Sequence, residues 1–108
     1  MQNTNSFIGR ITYVSPLQSG ESAHGTWNRI EFEMVETEGM YPQSVLLRAR
    51  GDLAKSIPGN VVPNDGTLWE AKIGFASRSY EKDGGVRRIC DVNCWSLGKV
   101  VKEEKLGN

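Results

Sequence analysis

Read for chemistry, this sequence offers charge interleaved with aromatic rings, and no reactive pair. Residues 72 to 88 carry five bases (Lys72, Arg78, Lys82, Arg87, Arg88) against two acids (Glu81, Asp83), with Tyr80 among them. A basic run holding one aromatic suits a nucleic-acid backbone with a base stacked on the ring. It suits a solvated hairpin tip equally well. No nucleophile stands near a base, no metal-ligand cluster has workable spacing, and Gly84-Gly85 reads as a turn, not a phosphate-cradling loop. The expectation is a protein that is not an enzyme and needs no metal or cofactor.

The remaining reactive side chains read as structural. His24 lies in a polar loop without a partner in sequence and is expected to be solvated. Glu31 and Glu33 are two apart on the polar face of a strand, where carboxylates are ordinarily hydrated. Cys90 and Cys94 are four apart in an extended run. Their Cα atoms would be about 13 Å apart, too far for a disulfide, so both are expected to be reduced, buried thiols.

The elements that position these residues follow from hydrophobic alternation. Residues 69 to 97 read as a long β-hairpin, with arms over 69–80 and 89–97 and a turn at Asp83-Gly84-Gly85, where glycine supplies positive φ. Residues 7–15 alternate with period two and predict a first strand. A polar loop closed by glycines covers 16–25. Residues 27–36 predict the second strand, with Ile30, Phe32 and Met34 on one face and Trp27, Arg29, Glu31, Glu33 and Val35 on the other. A loop at 37–42 leads to a third strand over 43–50, where Val45, Leu47 and Ala49 oppose Leu46, Arg48 and Arg50. Residues 51–57 predict a short helical turn stopped by Pro58-Gly59, and 60–67 a connector. Residues 99–108 read as a charged tail expected to fray.

Three strands, a short helix and two more strands give an all-β class. A five-stranded sheet of this size escapes exposed edges by curling into a barrel, with the helix between strands three and four closing its end. That is the order of the OB-fold, a fold that often binds oligonucleotides. Ile30, Phe32, Met34, Val45, Leu47, Ile73 and Phe75 are expected inside. The OB domain is placed at residues 6–98.

With 108 residues, 38% hydrophobic and 24% charged, the chain has the length of one domain with a modest core. No apolar run approaches the roughly 20 residues of a membrane helix. Residues 1–6 show neither a basic region nor an apolar stretch, so no secretory signal is expected and the cytoplasm is the default. Net charge is zero, which argues against a strong global field for polyanions. The distribution is uneven, since residues 31–38 hold four acids and no base.

Gly9-Arg10-Ile11-Thr12, Arg50-Gly51-Asp52-Leu53-Ala54 and Arg78-Ser79-Tyr80-Glu81-Lys82-Asp83-Gly84 resemble stretches of bacterial single-stranded DNA-binding proteins. A small, functionally uncharacterised bacterial branch of that OB-fold group is more similar still. Its pattern appears as Gln18-Ser19-Gly20, Gly25-Thr26-Trp27, Glu31-Phe32, Tyr41-Pro42, and Asp91-Val92 with Trp95. The resemblance covers residues 6 to 98. It implies single-stranded DNA as the ligand, RNA remaining open, and self-association as a dimer or tetramer. Tyr80 matches the family's stacking position in the hairpin. The third-strand stacking positions fall near Ser44 and Arg50, neither aromatic, and the family's acidic C-terminal tip has no counterpart in Glu103-Glu104-Lys105-Leu106-Gly107-Asn108. The resemblance thus implies a role accessory to replication, repair or a mobile element.

The nucleic-acid-binding set expected from these readings is Arg10, Trp27, Arg29, Arg48, Arg50, Lys72, Arg78, Tyr80, Lys82, Arg87 and Arg88. The competing reading is an OB module for protein–protein contact, with Trp27, Leu46 and Arg48 as anchors on the same face.

Overall fold

The computed structural model describes residues 5–100. Alternating apolar residues form β1 (Asn5–Val14), β2 (Gln18–Ser22), β3 (Gly25–Val35), β4 (Ser44–Arg50), β5 (Leu68–Lys82) and β6 (Gly85–Lys99), with α1 (Gly51–Asn60) between β4 and β5. β1 pairs with β5 through residues 5–10 and with β3 through residues 10–14, so one strand serves two neighbours. Gly9 stands where it passes between them. A Cβ there would collide with the Val35 carbonyl.

The ring runs β1–β5–β6–β4–β3 and back to β1. A parallel bridge between Arg48 and Asn93 joins β4 to β6. Five strands therefore close the barrel, as alternation predicts, and the chain has the OB-fold. The sixth strand, β2, pairs only with β3 and lies outside the ring. It occupies part of the stretch expected to be a polar loop, and so the helix follows the fourth strand in chain order instead of the third.

Inside the ring sit Ile11, Ile30, Phe32, Met34, Leu47, Ala49, Trp69, Ala71, Ile73 and Cys94, with Val45 partly buried against them. Ala54, Ile57 and Val61 close one end from α1 and its exit. The helix runs through Pro58 to Asn60, three residues beyond the expected stop. Pro58 lies in the last turn, where only one backbone bond is lost, and Val61 N–H donates to the Ile57 carbonyl at 2.9 Å to finish the helix.

Phe75 is a correction. Among the described residues β1 covers β5 as far as Ile73, opposite Asn5, and β6 leaves β4 at Asn93. Beyond those points β5 and β6 pair, among the described residues, with each other alone as a two-stranded ribbon, and Phe75 is 48% exposed on it. Cys90 lies on the same ribbon and is exposed, while Cys94 is buried. Both thiols are free, but only the second is a core residue. The ribbon contributes to an elongated shape of 60 × 33 × 29 Å.

The turn lies where expected but is one residue tighter, since Gly85 already belongs to β6. Lys82 pairs with Gly85, and the two central residues, Asp83 (φ 54°) and Gly84 (φ 78°), both have positive φ. This is the type I′ geometry that suits the twist of long hairpins. No helix among the described residues is long and apolar enough to cross a membrane. The expectations for the chain start and for the tail past Val100 concern, in residues 1–4 and 101–108, positions outside the described residues.

Candidate nucleic-acid interface

The outer faces of β3 and β4 alternate against the core. Antiparallel register sets Arg29 opposite Arg50, Glu31 opposite Arg48 and Glu33 opposite Leu46. Opposed residues share a face, so these six side chains form one outer surface. β2 extends it by placing Gln18 opposite Arg29 and Gly20 opposite Trp27.

At one end of this surface the Trp27 ring lies over Gly20, where a Cβ would come within 2.6 Å of the ring. The Arg29 guanidinium sits 5.7 Å from the ring centroid, within cation–π range. Arg29 Nη2 and Nε both donate to Gln18 Oε1, at 2.6 and 3.2 Å. The amide orients the guanidinium without neutralising it. Arg50 is exposed, and no ion pair holds it among the described residues. Trp27 is 42% exposed and shares a shallow pocket with Asn28, Arg29 and Arg50.

The middle of the surface is internally neutralised. Arg48 Nη2 lies 3.4 Å from Glu31 Oε2, and its Nη1 lies 3.8 Å from Asp91 Oδ1. Asp91 accepts a second contact, from Arg78 Nε at 2.8 Å. That hydrogen bond, followed by the charges of Arg78, Arg48 and Arg50, holds the Asp91 carboxyl below the usual range against the opposing effect of desolvation. Arg48 Nε is buried without a hydrogen-bond partner among the described residues.

The ribbon carries the surface outward. Asn93 is level with Arg48, and Asp91 lies two residues on along the same face. Ala76 is opposite Asp91, Arg78 opposite Ile89 and Tyr80 opposite Arg87, with Lys82 next to the turn. Arg78, Tyr80, Lys82 and Arg87 therefore share one face of the ribbon, continuous with that of β4. Tyr80 is 43% exposed.

Of the eleven residues expected from the sequence, the fold brings eight onto this continuous surface: Trp27, Arg29, Arg48, Arg50, Arg78, Tyr80, Lys82 and Arg87. Arg88, opposite Ser79, projects from the other face of the ribbon. Lys72 lies between Ser6 and Ser96 on the β1–β5–β6 wall. Arg10, opposite Val35, is six residues along β3 from Arg29, or about 20 Å in an extended strand.

Asp91 and Gln18 have structural roles on this surface that alternation did not reveal. Centring the hairpin register on Asp83-Gly84 would have set Asp91 diagonal to Arg78. Ser22 and Gly25, the favoured first and last residues of a type I turn, would have signalled the β2–β3 hairpin.

No family model matches the sequence, and no curated protein matches it. Solved structures do match the fold. A mitochondrial single-stranded DNA-binding protein of S. cerevisiae is 14% identical with a TM-score of 0.63, over 93% of this chain and 96% of that one. A small single-stranded DNA-binding protein of Streptomyces coelicolor is 15% identical with a TM-score of 0.56, over 93% and 95%. The Thermus aquaticus single-stranded DNA-binding protein is 16% identical with a TM-score of 0.66, over 94% of this chain and 52% of that one. The chain is thus an OB-fold protein built like these.

Proposed function

We propose that this chain is a non-catalytic binding module for single-stranded nucleic acid, DNA first. The carrying observation is the continuous outer surface of β3, β4 and the ribbon, the face and hairpin that OB-folds use for oligonucleotides. On it Arg29, Arg50, Lys82 and Arg87 lack an ion-pair partner among the described residues, and Trp27 and Tyr80 stand half-exposed beside them. Cations track phosphates while rings accept any base, so binding is sequence-tolerant. The likeness to proteins named for binding single-stranded DNA supports the same reading.

Within it, the chain is a relative of the small bacterial branch of single-stranded DNA-binding proteins. It acts in the cytoplasm as a homodimer or homotetramer, accessory to replication, repair or a mobile element. Arg48 and Arg78, already paired with acids, supply less charge than the sequence suggests. Affinity is therefore expected in the micromolar range at physiological salt.

The test is a titration of intrinsic tryptophan fluorescence with an oligo-thymidine strand over a range of salt. Four phosphate contacts predict a slope of log K on log salt of about −3, from about −0.7 per contact on single strands. Absence of salt-sensitive binding at low ionic strength removes this reading in favour of a protein-contact module on the same face.

A further inference from the structure

Trp95 has no role in the surface described above, and its environment is unusual. It is 55% exposed on β6 between buried Cys94 and Leu97, which packs against the core. Two core residues three apart break strict alternation. The strand solves this with a bulge, in which Cys94 pairs with Ile73 and Ser96 with Lys72, leaving Trp95 opposed by no residue of β5. Bulges of this kind re-aim a side chain and recur beside functional sites.

The parallel register of β4 and β6 gives Trp95 its neighbours. The bridge between the two strands joins Arg48 to Asn93. Arg50 and Trp95 each lie two residues further along their parallel strands, in the same direction and on the alternation that faces outward. Register sets Gln18, Arg29 and Arg50 in a row across β2, β3 and β4, and Trp95 stands on β6, the strand beyond β4. Trp27 packs on Arg29 on one side of Arg50, and Trp95 lies on the strand at the other side. The two arginines lie between two indoles, whose strands β3 and β6 are about 10 Å apart at two strand spacings.

We propose that Trp95 is a base-stacking platform for single-stranded nucleic acid, paired with Trp27 across the Arg29–Arg50 cations. A phosphate held between those guanidiniums carries its flanking bases toward the two rings. This rests on the nucleic-acid reading above and adds to it a second indole site. The site restores on β6 a platform that the residues of β4, with no aromatic between Ser44 and Arg50, do not provide.

The experiment uses two independent measurements on the full chain with a fluorescein-labelled oligo-thymidine strand of about 16 nucleotides. In Trp27→Phe, Trp95 is the exposed tryptophan, since Trp69 is buried. Its emission is expected to be quenched on addition of the strand. In Trp95→Ala, affinity is expected to fall roughly 5- to 150-fold, the loss of one stacked base, with the salt slope unchanged. Wild-type binding with unquenched Trp95 and an unaltered Trp95→Ala affinity overturns the proposal while leaving the proposed function standing. A changed sedimentation mass in Trp95→Ala with unaltered affinity assigns Trp95 to contact between copies, and overturns it too. Failure of the wild type to bind at low salt overturns both.

Discussion

Asp91 and Arg78 are joined diagonally across the β5–β6 ribbon, Oδ2 to Nε at 2.8 Å, and the other carboxylate oxygen of Asp91 faces Arg48 at 3.8 Å. One acid thus occupies two arginines at the point where the ribbon leaves the barrel. A phosphate approaching either guanidinium meets that negative charge first.

Asp91→Asn is therefore expected to strengthen oligonucleotide binding and steepen its salt dependence. With both arginines released to phosphates, the slope gains roughly 1.4, at about 0.7 per contact. Fluorescence titration at several salt concentrations reads both quantities. Weaker binding in Asp91→Asn would mean that the carboxylate orients the arginines usefully and does not compete.

The same group sets a pH dependence whose sign follows from its direction of shift. The Arg78 hydrogen bond lowers the Asp91 pKa from 3.8 in the folded protein. Its contribution to stability is present above the unfolded value and is lost as pH falls through the folded one. Binding should have the opposite trend, tightening as acid neutralises Asp91. Parallel melting and binding series in acid check this, and Asp91→Asn should flatten the Asp91 component of both.

Much of this architecture was legible because alternation is a strong signal where one face is buried. Ile30, Phe32 and Met34 predicted their own burial, and the outward set of Arg29, Arg48 and Arg50 followed from it. Phe75 shows where the signal stops. It keeps the rhythm of β5, yet periodicity does not say how far a neighbouring strand extends, and among the described residues β1 covers β5 as far as Ile73. Cys90 fails for the same reason. Arg48 and Arg78 read as free cations because their acid lies across strand pairings that only a register reveals. Trp95 was visible as an aromatic, but its bulge depends on Cys94 and Leu97 both packing toward the core.

The two thiols should separate cleanly. Cys90 is exposed and is expected to react with a thiol reagent under native conditions, while Cys94 reacts only on unfolding. Burial pushes the Cys94 thiol up to about 11 from 9.0. The unfolded state therefore ionises first, and stability falls as pH rises between those values, on the order of 2 kcal/mol in all. Cys94→Ala should remove that alkaline component, which denaturation at several pH values measures. Equal reactivity of both thiols in the native protein contradicts the assignment.

Gly20 offers a way to move Trp27 without changing it. A Cβ at position 20 would stand 2.6 Å from Cζ2 and 2.7 Å from Cε2 of the ring, so Gly20→Val must displace the indole. β2 lies outside the barrel ring and contributes no member of the buried core, so the melting temperature should change little. Oligonucleotide affinity should fall, and the tryptophan emission of the free protein should shift. Unchanged emission would show that the ring does not rest on Gly20.

Tyr80 and Arg50 separate the two physical contributions to binding. Tyr80 projects from the ribbon face opposite Arg87, and its ring offers a stacking surface with no formal charge. Tyr80→Ala should cost roughly 1–3 kcal/mol, the loss of one stacked base, while leaving the salt slope as it was. Arg50 sits at the N-cap of α1, makes no side-chain capping bond, and stands opposite Arg29. Arg50→Ala should weaken all sequences alike and flatten the salt slope by about 0.7, because one fewer phosphate releases its condensed counterion. The double variant should show both losses added, since the residues lie on different strands and share no partner among the described residues. A salt slope that flattens in Tyr80→Ala, or stays fixed in Arg50→Ala, would mean that the strand does not run along this surface from the barrel to the ribbon.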